Sequence, residues 1–441
     1  MKRMITTAGL AALGAATLGA HAQEGMVSQK PWSVGASIKG FYDDNFFTYP
    51  GVVNSGADGI AGTADDINLP KEDTFGFDLS PSAAINLGRG SQTTFGMSYL
   101  YSLRYYADRP RPRDDHSHQA NLKLSHAFSE RYSIDVKDSY VMAQEPSVLD
   151  PTISTTAPAR SEGDNSRNTG TIQVSANVVQ QFTVVGGYSN SIYDYEQDAD
   201  DLNPLTGFPY GPGTRSAVLD RMEHLMFADG NYELNPQTTL SLGYQFGIND
   251  YTSKDPIFFT APGSIRDNKS HYATVGVRHH LNPQVDLSAK AGVQYTIYDS
   301  ALFDDTVGPY AEANAMWQYM QGSSLQLGVT HRRIPTDVRL VSGFAIADAE
   351  ATSVYVALNH QITGKISAQA MGQYQHATYG DSTPGAPEDS DDLFYGGVTL
   401  TYQFNPYIGA EVGYAYDRLD SDLGLRSFTR NRVWIGTRLN Y

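Results

Sequence analysis

Four arginines, Arg426, Arg430, Arg432 and Arg438, stand at even spacings in the last sixteen residues of the chain. Side chains of a β-strand alternate between two faces, so an extended segment would put all four on one side, whereas a helix would scatter them. The opposite face would carry Val433, Ile435, Thr437, Leu439 and Tyr441, and is mainly apolar. The chemistry open to such a stripe is electrostatic rather than covalent. A guanidinium stays charged at any physiological pH, and rings of Arg or Lys in a pore favour anions while acidic rings favour cations. The same parity gathers Lys39, Arg104, Lys123, Lys137, Lys290 and Arg332, with Asp135 and Glu411 among them, as candidate pore-lining charges. The competing reading is that these charges pair across strands and stiffen a wall. Glu411 and Asp417 fall on the inward parity of the neighbouring segment, where they could do so.

Other chemistry is less well specified. Asn54-Ser55-Gly56-Ala57-Asp58-Gly59, followed by Asp65 and Asp66, keeps the glycine and two carboxylates of a calcium loop. Its first ligand is Asn and its third is Gly, so Asp58, Asp65 and Asp66 are weak metal candidates, and a solvated acidic loop is the expectation. His116 and His118 share a strand face but have no third ligand in sequence, and His279-His280 would point to opposite faces. There is no G-x-S-x-G nucleophile elbow, and no serine–histidine pairing is specified by spacing, so neither an enzyme nor a cofactor is expected. A hydrolase at a barrel rim is the enzymatic alternative.

The elements that would position these residues begin after a targeting segment. Lys2 and Arg3, an apolar run from Met4 to Gly19 and the Ala20-His21-Ala22 site read as a cleaved signal peptide over 1–22, with 23–441 as the mature chain. No later stretch approaches the 18 or so apolar residues of a membrane helix. Cysteine is absent, so no disulfide framework holds the fold. Net charge is −17, or −19 without Lys2 and Arg3, which argues against nucleic acid as a partner. Only 40% of residues are hydrophobic, yet there are 29 tyrosines and 41 glycines, a balance that suits a wet interior and interfacial aromatics better than a packed soluble core.

Segments of alternating polarity recur along the chain with no linker dividing it. Phe95, Met97, Tyr99, Tyr101, Leu103 and Tyr105 oppose Thr94, Gly96, Ser98, Ser102 and Arg104, and Leu240–Asn249 and Phe394–Phe404 repeat the rule. Eight short turns separate hairpins; three contain Asn-Pro and three contain Gly. Nine longer connections, among them 44–73, 146–163, 197–217, 253–267, 380–391 and 418–425, are polar and acidic. The arithmetic gives 18 strands, with Leu219–Leu234 alternating poorly. Aromatics gather by the short turns (Trp32, Phe128, Tyr132, Phe182, Tyr319, Phe404 and Tyr407) and towards the loops (Tyr42, Tyr105, Tyr140, Tyr193, Tyr251 and Tyr416). Two aromatic belts, short turns and long loops describe an all-β, transmembrane antiparallel up-and-down barrel with periplasmic turns and extracellular loops. A β-sandwich would have shorter strands and a polar outer face. Eighteen strands enclose room for water, and inward parity offers amides and hydroxyls such as Ser175, Ser189, Gln245, Gln294, Gln373 and Gln403. The sequence specifies no constriction; the 44–73 loop is long enough to fold inward.

The stretch 99–146, YLYSLRYYADRPRPRDDHSHQANLKLSHAFSERYSIDVKDSYVMAQEP, resembles the outer-membrane β-barrel porin 2 families. Shared features are a tyrosine-rich strand ending in R-Y-Y, a D/H-rich loop, an L-x-L-S strand and a D-x-x-x-Y strand after the next turn. The resemblance spans Trp32–Tyr441 and implies a porin-like barrel in a Gram-negative outer membrane, with some relatives associated with polysaccharide export. The expected function is passage of hydrophilic solutes or polysaccharide, and the alternative is a structural or adhesion barrel. Expected partners are outer-membrane lipid and lipopolysaccharide, the barrel-assembly machinery reading Val433, Ile435, Thr437, Leu439 and Tyr441, and polysaccharide-export components. Oligomeric state is not legible.

Overall fold

Period-two alternation becomes eighteen long strands in the computed structural model, which describes residues 30–54, 67–109, 112–143, 164–201, 209, 211–338, 340–341 and 343–441. In chain order the strands are β1 (Trp32–Asp43), β2 (Thr74–Leu87), β3 (Thr93–Tyr106), β4 (Asp114–Ala127), β5 (Tyr132–Ala143) and β6 (Asn165–Val179). There follow β7 (Phe182–Tyr195), β8 (Arg221–Asn235), β9 (Thr238–Tyr251), β10 (Asn268–Asn282), β11 (Val285–Tyr298) and β12 (Thr306–Met320). The last six are β13 (Ser323–Ile334), β14 (Ala349–Gln361), β15 (Ile366–Tyr379), β16 (Asp389–Asn405), β17 (Ile408–Ser421) and β18 (Phe428–Asn440). Each pairs antiparallel with the strands before and after it, and β1 pairs with both β2 and β18. The sheet is therefore closed, with no edge left to expose unpaired backbone to lipid. At the seam Gly35 faces Asn440 and Asp43 faces Arg432, and Tyr441 exchanges backbone hydrogen bonds with Val34.

The turns show why the hairpins close where they do. In the three Asn-Pro turns the Asn side chain accepts from the backbone two residues on: Gln237 N–H to Asn235, Gln284 N–H to Asn282 and Tyr407 N–H to Asn405, at 3.0, 2.8 and 2.8 Å. Each side chain mimics a backbone turn, and a β-bulge accompanies each of them. Gly322 takes φ +73° in its turn, a conformation an L side chain disfavours.

The outer face is apolar and bare: Leu242, Val275 and Ile435 are 68, 62 and 69% exposed, as suits a surface solvated by acyl chains. Trp32, Phe128, Tyr132, Phe404 and Tyr407 stand exposed at the turn end as expected. Two of the loop-end aromatics differ. Tyr193 and Tyr251 point inward and are buried, because loops pack over them from inside the barrel. The poorly alternating segment is β8, whose Leu225 and Phe227 share the inward parity of Asp229; Phe227 lies flat on Gly187 of β7. The signal segment, the 146–163 connection, and Asp58, Asp65 and Asp66 lie outside the described residues.

Besides the barrel strands the described residues hold short loop hairpins, one α-helix, α1 (Arg215–Leu219), capped by Thr214, and a 3-10 helix, Gly263–Arg266. No described helix is long and apolar enough to cross a membrane.

Candidate functional site

The interior face of β17, β18 and β1 carries the arginine stripe, and carboxylates interleave it. Glu411 lies between Lys39 Nζ and the Arg438 guanidinium, at 2.8 and 2.7 Å. Asp417 meets Arg430 at 2.7 Å and Arg432 at 3.7 Å. Arg426 precedes β18 rather than belonging to it, and it grips Asp337 and Asp391 at 2.8 and 2.7 Å. Asp391 is thus buried inside, not part of the acidic outer surface that its loop-like sequence suggests. The seam is a ladder of five cations and four carboxylates. Gly436 makes it possible: a Cβ there would sit 2.7 Å from the Lys39 side chain, which crosses this notch to reach Glu411 two strands away.

The other candidates are spread around the wall. Arg104 pairs with Asp78 and Lys290 with Asp229, both at 3.1 Å. Arg332 occupies the inward parity of β13 opposite Ala351. Lys123 and Lys137 face one another on β4 and β5, and Asp135 accepts from Ser125 Oγ at 2.5 Å. The wall brings the seam residues together and leaves Arg104, Lys290 and the lysine pair apart.

Interior aromatics are kept out of the way. Phe41, Phe227, Tyr355 and Trp434 each lie flat over a glycine of the adjacent strand, Gly76, Gly187, Gly328 and Gly413. A Cβ on Gly413 would fall 2.1 Å from the Trp434 ring. Gly413→Val is therefore expected to lift that indole into the lumen, lowering single-channel conductance and costing about 1–3 kcal/mol of stability. Conductance steps and melting of the purified variant would measure both.

The loop end is narrowed from within: from the 44–73 loop, Phe46 is buried against the inward-facing Tyr106 of β3 at 5.9 Å, while residues 55–66 lie outside the described residues, and other connections join it. Val338, Val341 and Ile346 of the 335–348 loop pack on Ala351, Ala377 and Tyr379, which face inward from β14 and β15. Ala217, Val218 and Leu219 of α1 and Ile257 pack on Tyr193 and Tyr195. Arg266, fully buried, ties these loops together: its guanidinium donates to the carbonyls of Val218, Ala347 and Thr336 at 2.9, 3.1 and 2.6 Å. The ring of Tyr251 lies 4.9 Å from it. Tyr298 donates to Asp348 at 2.5 Å, and Asp348 also receives Arg333 at 3.2 Å. These residues escaped sequence reasoning because their loops look polar. The signal was in the apolar triplets Ala217-Val218-Leu219, Ile257-Phe258-Phe259 and Ala345-Ile346-Ala347, which solvated loops do not need.

One loop group titrates in an accessible range. Asp220 caps α1 and accepts the Tyr195 N–H at 2.8 Å. Burial, together with Asp194, Asp198 and Asp255, pushes its carboxyl up to about 8 against the pull of that hydrogen bond. The folded loop holds this proton more tightly than the unfolded chain, where an Asp titrates near about 4. Its contribution to stability is present below that value and is lost as pH rises through about 8. Protease susceptibility of the α1 loop should therefore increase on going from acid to mildly alkaline buffer, and Asp220→Asn should flatten that dependence.

The two histidines of the pair are engaged separately. His116 and His118 face outward near the loop end, and each bonds its own tyrosine across the strand pair, Tyr101 at 2.7 Å and Tyr99 at 2.8 Å. His224, His271 and His360 repeat the pairing with Tyr188, Tyr244 and Tyr319. A ring with an apolar body and polar edge, satisfied by a neighbour, suits the membrane boundary.

A closed membrane wall, a polar interior and loops packed inside one mouth describe a porin-like architecture. The profile of the family described as "Putative beta-barrel porin 2" matches residues 213–441, just over half of the chain. The chain belongs to this family. It is accordingly a porin-like channel protein of the outer membrane, as the sequence resemblance implied. No curated protein matches the chain by sequence. Solved structures similar to it include Pseudomonas aeruginosa OccK2 (OpdF) in complex with glucuronate, at 12% identity and TM-score 0.44 over 93% of this chain and 98% of that one. A BenF-like porin from Pseudomonas fluorescens Pf-5 aligns at 12% and 0.45 over 93% and 99%. Acinetobacter baumannii OccAB4 aligns at 12% and 0.41 over 94% and 99%.

Proposed function

We propose that this member of the porin 2 family passes small hydrophilic solutes across the outer membrane, with the inward-packed loops setting the size limit. The observation that carries the reading is the contrast between the two ends of one polar interior. Lys123, deep in the wall, is exposed although it faces inward, whereas Tyr193, Tyr379 and Arg266 at the loop end are buried under loops. An aqueous lumen with a narrowed outer mouth sorts solutes by size and charge and performs no covalent chemistry. Polysaccharide export, implied for some relatives by resemblance, needs a mouth that admits a hydrated polymer, and the packed loops favour small solutes over it. Loops rich in Asp would meet lipopolysaccharide through divalent cations. The outward face of β18, with Val433, Ile435, Thr437 and Leu439 leading to Tyr441, is the segment that assembly machinery would read.

Liposome swelling with uncharged sugars of graded size tests this. Uptake should be measurable for monosaccharides and fall away towards oligosaccharides. Equal uptake across the series would contradict a loop-set limit, and no uptake of any sugar would contradict the channel.

A further inference from the structure

Several interior cations among the described residues are matched to carboxylates. Lys39, Arg104 and Lys290 each have an acidic partner within about 3 Å. Lys123 and Lys137 instead stand directly opposite one another on β4 and β5, and neither makes a hydrogen bond or ion pair among the described residues. Directly opposed like charges have Cβ atoms only about 5 Å apart and destabilise a sheet. Asp135, two residues from Lys137 on the same face, moderates the local charge, but its Oδ1 is held by Ser125. The cost has no structural return in the wall itself.

The surroundings suit a ligand. Gly96 lies beside Lys123 in register and brings no side chain, while Thr171 lies beside Lys137. The next row towards the loops offers Asn121 and Ser139, linked at 2.9 Å. Two ammonium groups, with three donors each, thus project into an open stretch of lumen bordered by hydroxyls and an amide.

We propose that Lys123 and Lys137 form an oxyanion subsite in the channel, which takes hydrophilic solutes bearing a carboxylate or phosphate. An oxyanion bridging the two ammonium groups would turn their repulsion into two charge-assisted hydrogen bonds. The subsite rests on the channel reading for its purpose but not for its binding, so the two can fail separately.

The test is equilibrium dialysis of radiolabelled gluconate, inorganic phosphate and glucose against folded, detergent-solubilised protein, wild type beside Lys123→Gln and Lys123→Gln/Lys137→Gln. Wild type should retain at least one anion over glucose, and which one identifies the carboxylate or the phosphate as the ligand group. Retention should fall several-fold in the single variant and at least tenfold in the double variant, and the double variant should melt no lower than wild type because a repulsion has been removed. Anion retention no greater than that of glucose, or equal retention by the double variant, overturns the subsite. In a parallel planar-bilayer arm, conduction without anion retention overturns the subsite and spares the channel. Retention without conduction supports the subsite and sinks the channel.

Discussion

Arg266→Ala should widen and destabilise the outer mouth more than any other single change in the loops. The side chain is 0% exposed and satisfies three carbonyls from two segments, that of Val218 in α1 and those of Thr336 and Ala347 near the two ends of the 335–348 loop. Truncation would leave these oxygens buried without donors, at about 1–3 kcal/mol each before relaxation. Relaxation is the readier outcome, because the loops can swing away from the wall and hydrate their carbonyls while the strand ladders stay intact. Single-channel conductance and open-channel noise should therefore rise, and the 335–348 loop should become protease-sensitive, with the barrel's own melting little changed. Arg266→Lys should fall between, since one ammonium cannot span the fork that a planar guanidinium fills. Unchanged conductance and unchanged proteolysis in Arg266→Ala would show that the loops do not constrict the pore.

The second large effect is at the seam. Glu411 is 3% exposed and neutralises Lys39 and Arg438 together. Glu411→Gln should leave two neighbouring cations without their counter-charge and take the ladder from five cations and four carboxylates to five and three. The expected stability loss is about 2–3 kcal/mol, less than for a fully buried pair because both cations reach lumen water. Reversal potentials in a salt gradient should move towards anion selectivity. Arg430→Glu combined with Arg432→Glu should move them the other way, towards cations. If neither variant shifts the reversal potential, the seam charges brace the wall and do not control permeation.

The wall was legible in the sequence because its rule is local. Alternation as in Phe95–Tyr105, with turns as at Asn235, Asn282 and Asn405, fixes strand identity, facing and hairpin closure within a few residues of chain. Parity alone placed Lys39, Arg438 and Glu411 on one face. It could not say that Lys39 would cross the Gly436 notch to reach Glu411, because that contact depends on the register of three strands at the closing seam. Nor could it expose the Lys123–Lys137 opposition, which a register shift of a single residue would abolish. The loop assembly was the least legible part. Arg266 finds its partners 48, 70 and 81 residues away along the chain, and no periodicity encodes such contacts. Tyr193 and Tyr251 looked like members of an outer aromatic belt because their position near strand ends was visible while the loops that cover them from inside were not.

The most direct test of the central claim is single-channel recording of the purified, folded protein in a planar lipid bilayer. A water-filled barrel narrowed by its own loops predicts discrete conductance steps at low voltage, larger in Arg266→Ala than in wild type. A protein that is demonstrably folded and inserted, yet carries no current at any voltage with or without Arg266, would contradict it.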